Sequence, residues 1–231
     1  MTKHILINGA SSGIGRQLAM KLSDLGYQLS LTGRSENKLA TTLTQVDSEN
    51  VVTSQAFCVT DETAVKTFCD SASEVLPIDI LINCVGLNNS REAGHLVPIE
   101  TLNWQMQVNC YAPIRFMQAC IPAMQNAKQG TVINVLSTTC LYSNTNIAAY
   151  TASKAAIDAY TKVMRKELRE DGIKMLSIYP GGVDTDFRDV DRPQYLTAED
   201  VADAIIYMLQ TNDKTHVHEL VLRPQTETNF A

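Results

Sequence analysis

His4-Ile5-Leu6-Ile7-Asn8-Gly9-Ala10-Ser11-Ser12-Gly13-Ile14-Gly15 is the stretch that decides the fold. Five residues of strand character run straight into a turn with glycines at 9, 13 and 15, and an amphipathic helical pattern follows over about residues 13–25. Glycine permits the tight strand-to-helix turn and lets the backbone approach a ligand closely. The helix that opens there presents unpaired N–H groups and the positive end of its dipole, a seat suited to a pyrophosphate. Outward from this unit, strand-like runs recur at residues 28–32, 51–59, 78–83, 131–136, 174–179 and 219–222, with helical patterns between them. Strands alternating with helices in this way imply an α/β architecture, a doubly wound parallel sheet of about seven strands with helices on both faces. No repeat, low-complexity tract or long Pro/Gly linker breaks the pattern, so residues 1–231 are expected to form a single domain.

With 231 residues, 45% of them hydrophobic, the chain can bury roughly 70% of its unfolded surface and needs no covalent staple. Its 19 Lys and Arg stand against 25 Asp and Glu, a net charge of −6, and no basic run stands out. That balance argues against nucleic acid as the main partner and favours a small-molecule ligand. The N-terminal residues enter a strand without a signal-peptide pattern, and no later run reaches the ~18 apolar residues of a membrane span. The expectation is a cytoplasmic protein with no membrane partner. Cys58, Cys69, Cys84, Cys110, Cys120 and Cys140 are scattered without a Cys-x-x-Cys pair, and are read as reduced, buried small hydrophobes rather than a metal site or disulfides.

Tyr150-Thr151-Ala152-Ser153-Lys154 carries the chemistry. Residues four apart stack on one helix face, so Tyr150 and Lys154 can serve one site. A phenol with a pKa of ~10 is a poor acid or base near neutrality, and a neighbouring ammonium lowers that value by favouring the phenolate. Such a tyrosine can protonate a forming alkoxide or deprotonate an alcohol. Ser137, at the end of an apolar strand, precedes Tyr150 by thirteen residues. The Tyr-x-x-x-Lys pair, the upstream serine and the Gly-x-x-x-Gly-x-Gly turn together resemble the short-chain dehydrogenase/reductase family, over nearly the whole chain. The resemblance implies a Rossmann-like fold and a nicotinamide-dependent oxidoreductase that interconverts a carbonyl and a secondary alcohol. It also implies a catalytic set of Asn109, Ser137, Tyr150 and Lys154, in which Asn109 bends a helix and its backbone carbonyl holds a water linked to the lysine.

The same resemblance implies the cofactor contacts. Gly9, Ser11, Ser12, Gly13, Ile14 and Gly15 would cradle the pyrophosphate, and Tyr150 and Lys154 would reach the nicotinamide ribose. After the second strand, Gly33 stands where NAD-preferring members carry an acid, and Arg34 follows. A carboxylate there would accept the 2′-OH of NAD, whereas a guanidinium pairs with the 2′-phosphate of NADP, so NADP(H) is favoured over NAD(H). Ser12 occupies a position that is often basic in NADP users. In Phe57-Cys58-Val59-Thr60-Asp61, Cys58 replaces the acid that contacts adenine, leaving Val59 to contribute backbone. Asn83-Cys84-Val85-Gly86 stands for Asn-Asn-Ala-Gly, so Asn83, Val85 and Gly86 are expected to border the cofactor although the second Asn is gone. Asn8 replaces the usual Thr, and is expected to supply some of the missing bonding between strands. Pro180-Gly181-Gly182-Val183-Asp184-Thr185 matches Pro-Gly-x-Val-x-Thr, which assigns Pro180, Gly181, Val183 and Thr185 to the nicotinamide end.

Other segments frame the site. Residues 87–98 read as an irregular connection in which His95 is more ordinarily solvated than substrate-bound. Helical patterns over about 99–126 break near Asn109 and Pro113, and residue Cys140 stands where a glycine is common. A helix over about 149–170 carries Ala152, Ala155, Ala156 and Ala159, a face that in the family packs across a subunit interface, implying a homodimer or homotetramer. A short substrate loop at about 186–197 is consistent with an open or small site, and Thr197-Ala198-Glu199-Asp200 reads as a capping box. His216 and His218 read as sheet-edge residues rather than a metal pair. Two other readings stay open: a nucleotide-sensing or regulatory protein of the same fold, and a lyase or epimerase that uses nicotinamide without net redox.

Overall fold

The computed structural model describes residues 2–185, 187, 191–212 and 214–229. The opening unit is β1 (His4–Asn8), a glycine turn and α1 (Gly13–Asp24), followed by β2 (Gln28–Gly33), α2 (Glu36–Leu43), β3 (Val51–Ala56), α3 (Glu62–Val75) and β4 (Ile80–Asn83). The second half runs α4 (Ile99–Met106), α5 (Ala112–Ala127), β5 (Gly130–Val135), α6 (Ala148–Glu167), β6 (Ile173–Pro180), β7 (Val183–Asp184), β8 (Leu196–Thr197), α7 (Ala198–Gln210) and β9 (Glu219–Leu222). Seven strands form one parallel sheet in the order β3-β2-β1-β4-β5-β6-β9, which is the doubly wound α/β class expected from the sequence. The order reverses between β1 and β4, the switch point at which ligands bind beyond the carboxyl ends of the strands.

A strand covered on both faces needs apolar side chains in both directions, and β1 shows it: Ile5 and Ile7 pack with Leu18 and Leu22 of α1 and Ile205 of α7, while Leu6 turns to the opposite core. That opposite core holds Phe68 of α3, Phe116 and Met117 of α5, and Ile157 of α6. Hence α1 and α7 cover one face of the sheet, and α3, α5 and α6 the other.

Three features refine the sequence reading. β3 ends at Ala56 rather than 59, because β2, its partner on that edge, ends at Gly33. The short β7–β8 pair was not foreseen; two-residue strands carry no periodicity. The break between α4 and α5 is a π-turn, Gln107–Tyr111, with Asn109 at its centre, and Pro113 lies in the first turn of α5, where its missing N–H costs nothing. The expected capping box is present, with Thr197 and Asp200 bonding each other's backbone. Of the expected 186–197 loop, residues 186 and 188–190 lie outside the described residues.

One row of amides crosses the carboxyl edge of the sheet. Asn8, Asn83 and Asn134 lie side by side in register on β1, β4 and β5, each almost wholly buried. Asn8 Nδ2 donates to Asn83 Oδ1, Asn83 Nδ2 donates to Asn134 Oδ1 at 2.7 Å, and Asn134 Nδ2 donates to Thr161 Oγ1 of α6 at 2.8 Å. Asn8 Oδ1 accepts the backbone amides of Cys84 and Val85 at 3.0 and 3.1 Å, which is the compensation expected of it. Asn8→Ala would strand the Val85 amide and the Asn83 oxygen, while the Cys84 amide keeps its bond to the Asn8 backbone carbonyl at 3.2 Å. The substitution is expected to cost about 2–3 kcal/mol of unfolding free energy; a urea-denaturation loss near zero would show that the amides do not need this oxygen.

Candidate active site

Beyond the carboxyl ends of β1, β4, β5 and β6 lies a cavity of about 1000 Å³. Its floor at the switch point is the glycine turn, lined by Gly9, Ser11, Ser12, Gly13, Ile14 and Gly15. Gly9 has φ +76°, and a Cβ there would press at 3.0 Å on the backbone of Cys84 and Val85; a Cβ on Gly15 would collide with the Gly9 carbonyl. These two glycines let α1 start hard against the end of β1. Ser12, the N-cap, makes no side-chain cap, and the first turn carries no acid, so the amides at the start of α1 face the cavity without an internal partner from that side chain. That is the donor set a pyrophosphate requires, and the turn fits one. At the far end, Arg34, Ser35 and Lys38 line the wall, with Cys58 and Val59 nearby.

The opposite half is built by the π-turn, the end of β5 and α6. Ser137, Tyr150 and Lys154 all line the same cavity as the glycine turn. Ser137 ends the strand segment and its hydroxyl accepts the Thr139 amide at 3.2 Å, which orients the side chain at the cavity wall. Lys154 is 4% exposed, and its amine donates to the Val135 carbonyl at 2.9 Å. Gly86 packs against that amine, for a Cβ there would lie 3.3 Å from Nζ. Burial pulls the Lys154 pKa from 10.5 down to about 8; the thiols of Cys140, Cys84 and Cys110 oppose this only weakly. Burial also pushes Cys84 up to about 12 and Cys140 up to about 11, so neither offers the lysine an anion near neutrality. An ammonium held this way gains from any anion formed beside it, and Tyr150, one turn earlier on α6, shares its cavity.

Asn109 is fully buried and does not face the cavity. Its Oδ1 accepts the Leu87 amide at 2.8 Å, while its Nδ2 donates to the Leu87 carbonyl at 2.8 Å and to Ser153 Oγ at 2.9 Å. Ser153 in turn donates to the Tyr150 carbonyl at 2.8 Å, so the asparagine staples the strand-end loop to the helix that carries the tyrosine. Asn83 likewise lies under the floor, its amide taken up by Asn8 and Asn134. The remaining residues singled out in the sequence, Arg34, Val59, Val85, Gly86, Pro180, Gly181, Val183 and Thr185, all line the cavity.

Several lining residues gave no local signal. Lys38 sits one turn into α2, and its place beside Arg34 depends on how Ser35 caps that helix. Trp104, Tyr195 and Glu227 come from α4, the loop before β8 and the C-terminal segment, brought in by tertiary packing. His95 is exposed on a short 3-10 turn and does not line the cavity. The His216 and His218 rings meet edge-on at 5.7 Å, and among the described residues no group of three or more potential metal ligands gathers.

The model of the family described as short chain dehydrogenase matches residues 3–196 of this sequence. The chain belongs to that family. A protein named as an uncharacterized oxidoreductase of Staphylococcus saprophyticus is 32% identical over 228 residues, spanning 96% of this chain and 97% of its own length. Serine dehydrogenase from Escherichia coli superposes with a TM-score of 0.87 at 24% identity, covering 97% of this chain and 99% of that one. An alcohol dehydrogenase from Thermococcus sibiricus, complexed with 5-hydroxy-NADP, gives a TM-score of 0.89 at 22% identity and covers 99% of both chains. Cys84, Cys110 and Cys140 lie around the lysine of this short-chain dehydrogenase, and burial raises the pKa of each thiol. Among the described residues no helix is long and apolar enough to cross a membrane.

Holding Lys154 charged in the interior lowers stability at neutral pH. Because its folded pKa of about 8 lies below the ordinary 10.5, the unfolded chain binds the proton more tightly, and stability rises with pH across that window. The cost is about 3 kcal/mol below pH 8. Lys154→Met, after allowance for the orphaned Val135 carbonyl, should therefore be more stable than the parent by about 1–2 kcal/mol at pH 7. The difference should shrink between pH 8 and 10.5. Denaturant unfolding of both proteins across that range measures it.

Proposed function

We propose that this short-chain dehydrogenase is an NADP(H)-dependent oxidoreductase that interconverts a small carbonyl compound and its secondary alcohol by hydride transfer. The observation that supports this reading most directly is that Ser137, Tyr150 and the buried Lys154 front the same cavity as the glycine turn. When bound, the reduced nicotinamide supplies the hydride that the protein lacks. Tyr150 gives its phenolic proton to the carbonyl oxygen, and Ser137 orients and polarises that oxygen. Lys154 favours the phenolate through its charge and would help to hold the nicotinamide ribose. Asn109 holds the π-turn whose carbonyl carries the water that resupplies the proton.

Gly9, Ser11, Ser12, Gly13, Ile14 and Gly15 would hold the pyrophosphate; Val59, Val85 and Gly86 the adenine and ribose sides, with Asn83 bracing them from beneath rather than touching the cofactor; and Pro180, Gly181, Val183 and Thr185 the carboxamide end. NADP(H) is favoured because Arg34 and Lys38 line the adenosine end, and because Glu227, at the opposite end, is the only carboxylate among the described lining residues. Four of the structural neighbours are described with NADP-type ligands, one of them a serine dehydrogenase in its closed form with NADP+. The reading includes a single catalytic domain, a short substrate loop at about 186–197, a reducing cytoplasmic setting in which the six cysteines stay free, and assembly into a homodimer or homotetramer. Ala152, Ala159 and Val163, exposed along the outer face of α6, favour that assembly.

The test is NADPH consumption against diverse aldehydes, ketones and diketones, with NADH in parallel. Tyr150→Phe is expected to lose two to four orders of magnitude in turnover while NADPH affinity stays within a few-fold; near-normal turnover would refute the role given to the phenol. Arg34→Asp should reverse the NADPH/NADH preference in kcat/KM by about 10²-fold or more. Nucleotide binding without turnover across the panel would favour the sensing role, and turnover without a change in NADPH absorbance the lyase or epimerase.

A further inference from the structure

The segment after β9 returns to the mouth of the cavity. Gly181 donates its amide to the Leu222 carbonyl at 2.8 Å, and Glu227 Oε1 then accepts the Gly182 amide at 2.6 Å. The other oxygen of Glu227 takes Arg223 Nη1 at 3.3 Å, in a pair whose side chains are only 14% and 18% exposed. Arg223 also donates to Asn229 Oδ1 at 2.7 Å and lies 4.8 Å from the centre of the Tyr142 ring, so the carboxylate is itself held in place. From the other side Tyr195 closes in: a Cβ on Gly182 would strike its ring, as a Cβ on Gly181 would strike the Glu227 carboxylate.

Two adjacent glycines make the loosest backbone a chain can have, and a Cβ on either would have to displace the Glu227 or the Tyr195 side chain. The turn at 180–183 therefore cannot stiffen itself and takes its shape from what grips it. The Gly182 carbonyl accepts the Leu196 amide at 3.0 Å, and the Gly182 amide is gripped by a charged acceptor, the stronger kind of hydrogen bond. We propose that Glu227 is a positioning residue, which fixes the 180–183 turn for the nicotinamide and makes the C-terminal segment a wall of the active site. The proposal rests on the preceding reading in taking that turn to receive the nicotinamide.

The test uses the full chain, with Glu227→Ala and Glu227→Gln beside the parent. Calorimetry compares NADP+ with 2′-phospho-ADP-ribose, which lacks the nicotinamide, and turnover is followed with NADPH and its 4-deuterated form. Glu227→Ala should weaken NADP+ and lower kcat about tenfold each, raise the primary isotope effect on kcat, and leave 2′-phospho-ADP-ribose binding unchanged. Glu227→Gln, which keeps a neutral acceptor, should recover most of both losses. Equal weakening of the two ligands would point to general loss of structure and overturn the proposal, as would unchanged NADP+ affinity and kcat in Glu227→Ala. A parent protein that binds neither ligand would instead remove the cofactor reading on which the proposal stands.

Discussion

Three asparagine side chains, bonded one to the next across the ends of β1, β4 and β5, hold the working edge of this sheet together. Parallel strands end by leaving the ladder one after another, and at the switch point two chains must diverge to open a crevice. Without side-chain amides, the Val85 N–H would leave the sheet with nothing to bond, and that of Cys84 would keep only the Asn8 backbone carbonyl. Asn8 takes both, and Asn134 carries the row onward to Thr161 on α6. The glycine turn, the loop after β4 and the helix with Tyr150 and Lys154 are thereby referred to one rigid line. Buried polar networks of this kind are costly when incomplete and specify a single arrangement when satisfied.

Against that rigid edge the chain holds a charge that would rather be in water. Lys154 is tied to one carbonyl and surrounded by thiols that burial keeps neutral. A carboxylate in their place would relieve the ammonium and leave it little reason to favour a phenolate. The strained electrostatics is thus a property of the whole neighbourhood, including Cys84, Cys110 and Cys140. Stability and reactivity oppose each other here in a way common to sites that shift a pKa by burial.

The two ends of the cavity follow opposite designs. At one end Arg34, Lys38 and the start of α1 line the wall, a field that favours an anion such as phosphate. At the other end a carboxylate and a tyrosine ring clamp a pair of glycines, so shape is imposed by neighbours rather than by the turn's own residues.

Sequence alone determined the α/β class, every strand of the main sheet to within a few residues, and, apart from Asn83 and Asn109, the cavity-lining set from Gly9 to Thr185. The strands, the glycine turn and the Tyr150–Lys154 pairing follow from local physics, namely apolar runs long enough for doubly covered strands, glycines where backbone must pass close, and a four-residue spacing that stacks Tyr150 over Lys154. The other cavity positions were expected only from the family resemblance. The π-turn was visible only as an interruption, because a one-residue widening leaves no composition of its own. Tertiary structure alone decided that Asn83 and Asn109 brace the site from beneath, since their amides are claimed by partners tens of residues away. It likewise decided that Lys38, Tyr195 and Glu227 reach the cavity. Each sits in an unremarkable stretch, and the approach of a helix, a loop and a chain end to one crevice is set by how the two cores pack on the sheet, which no local pattern encodes.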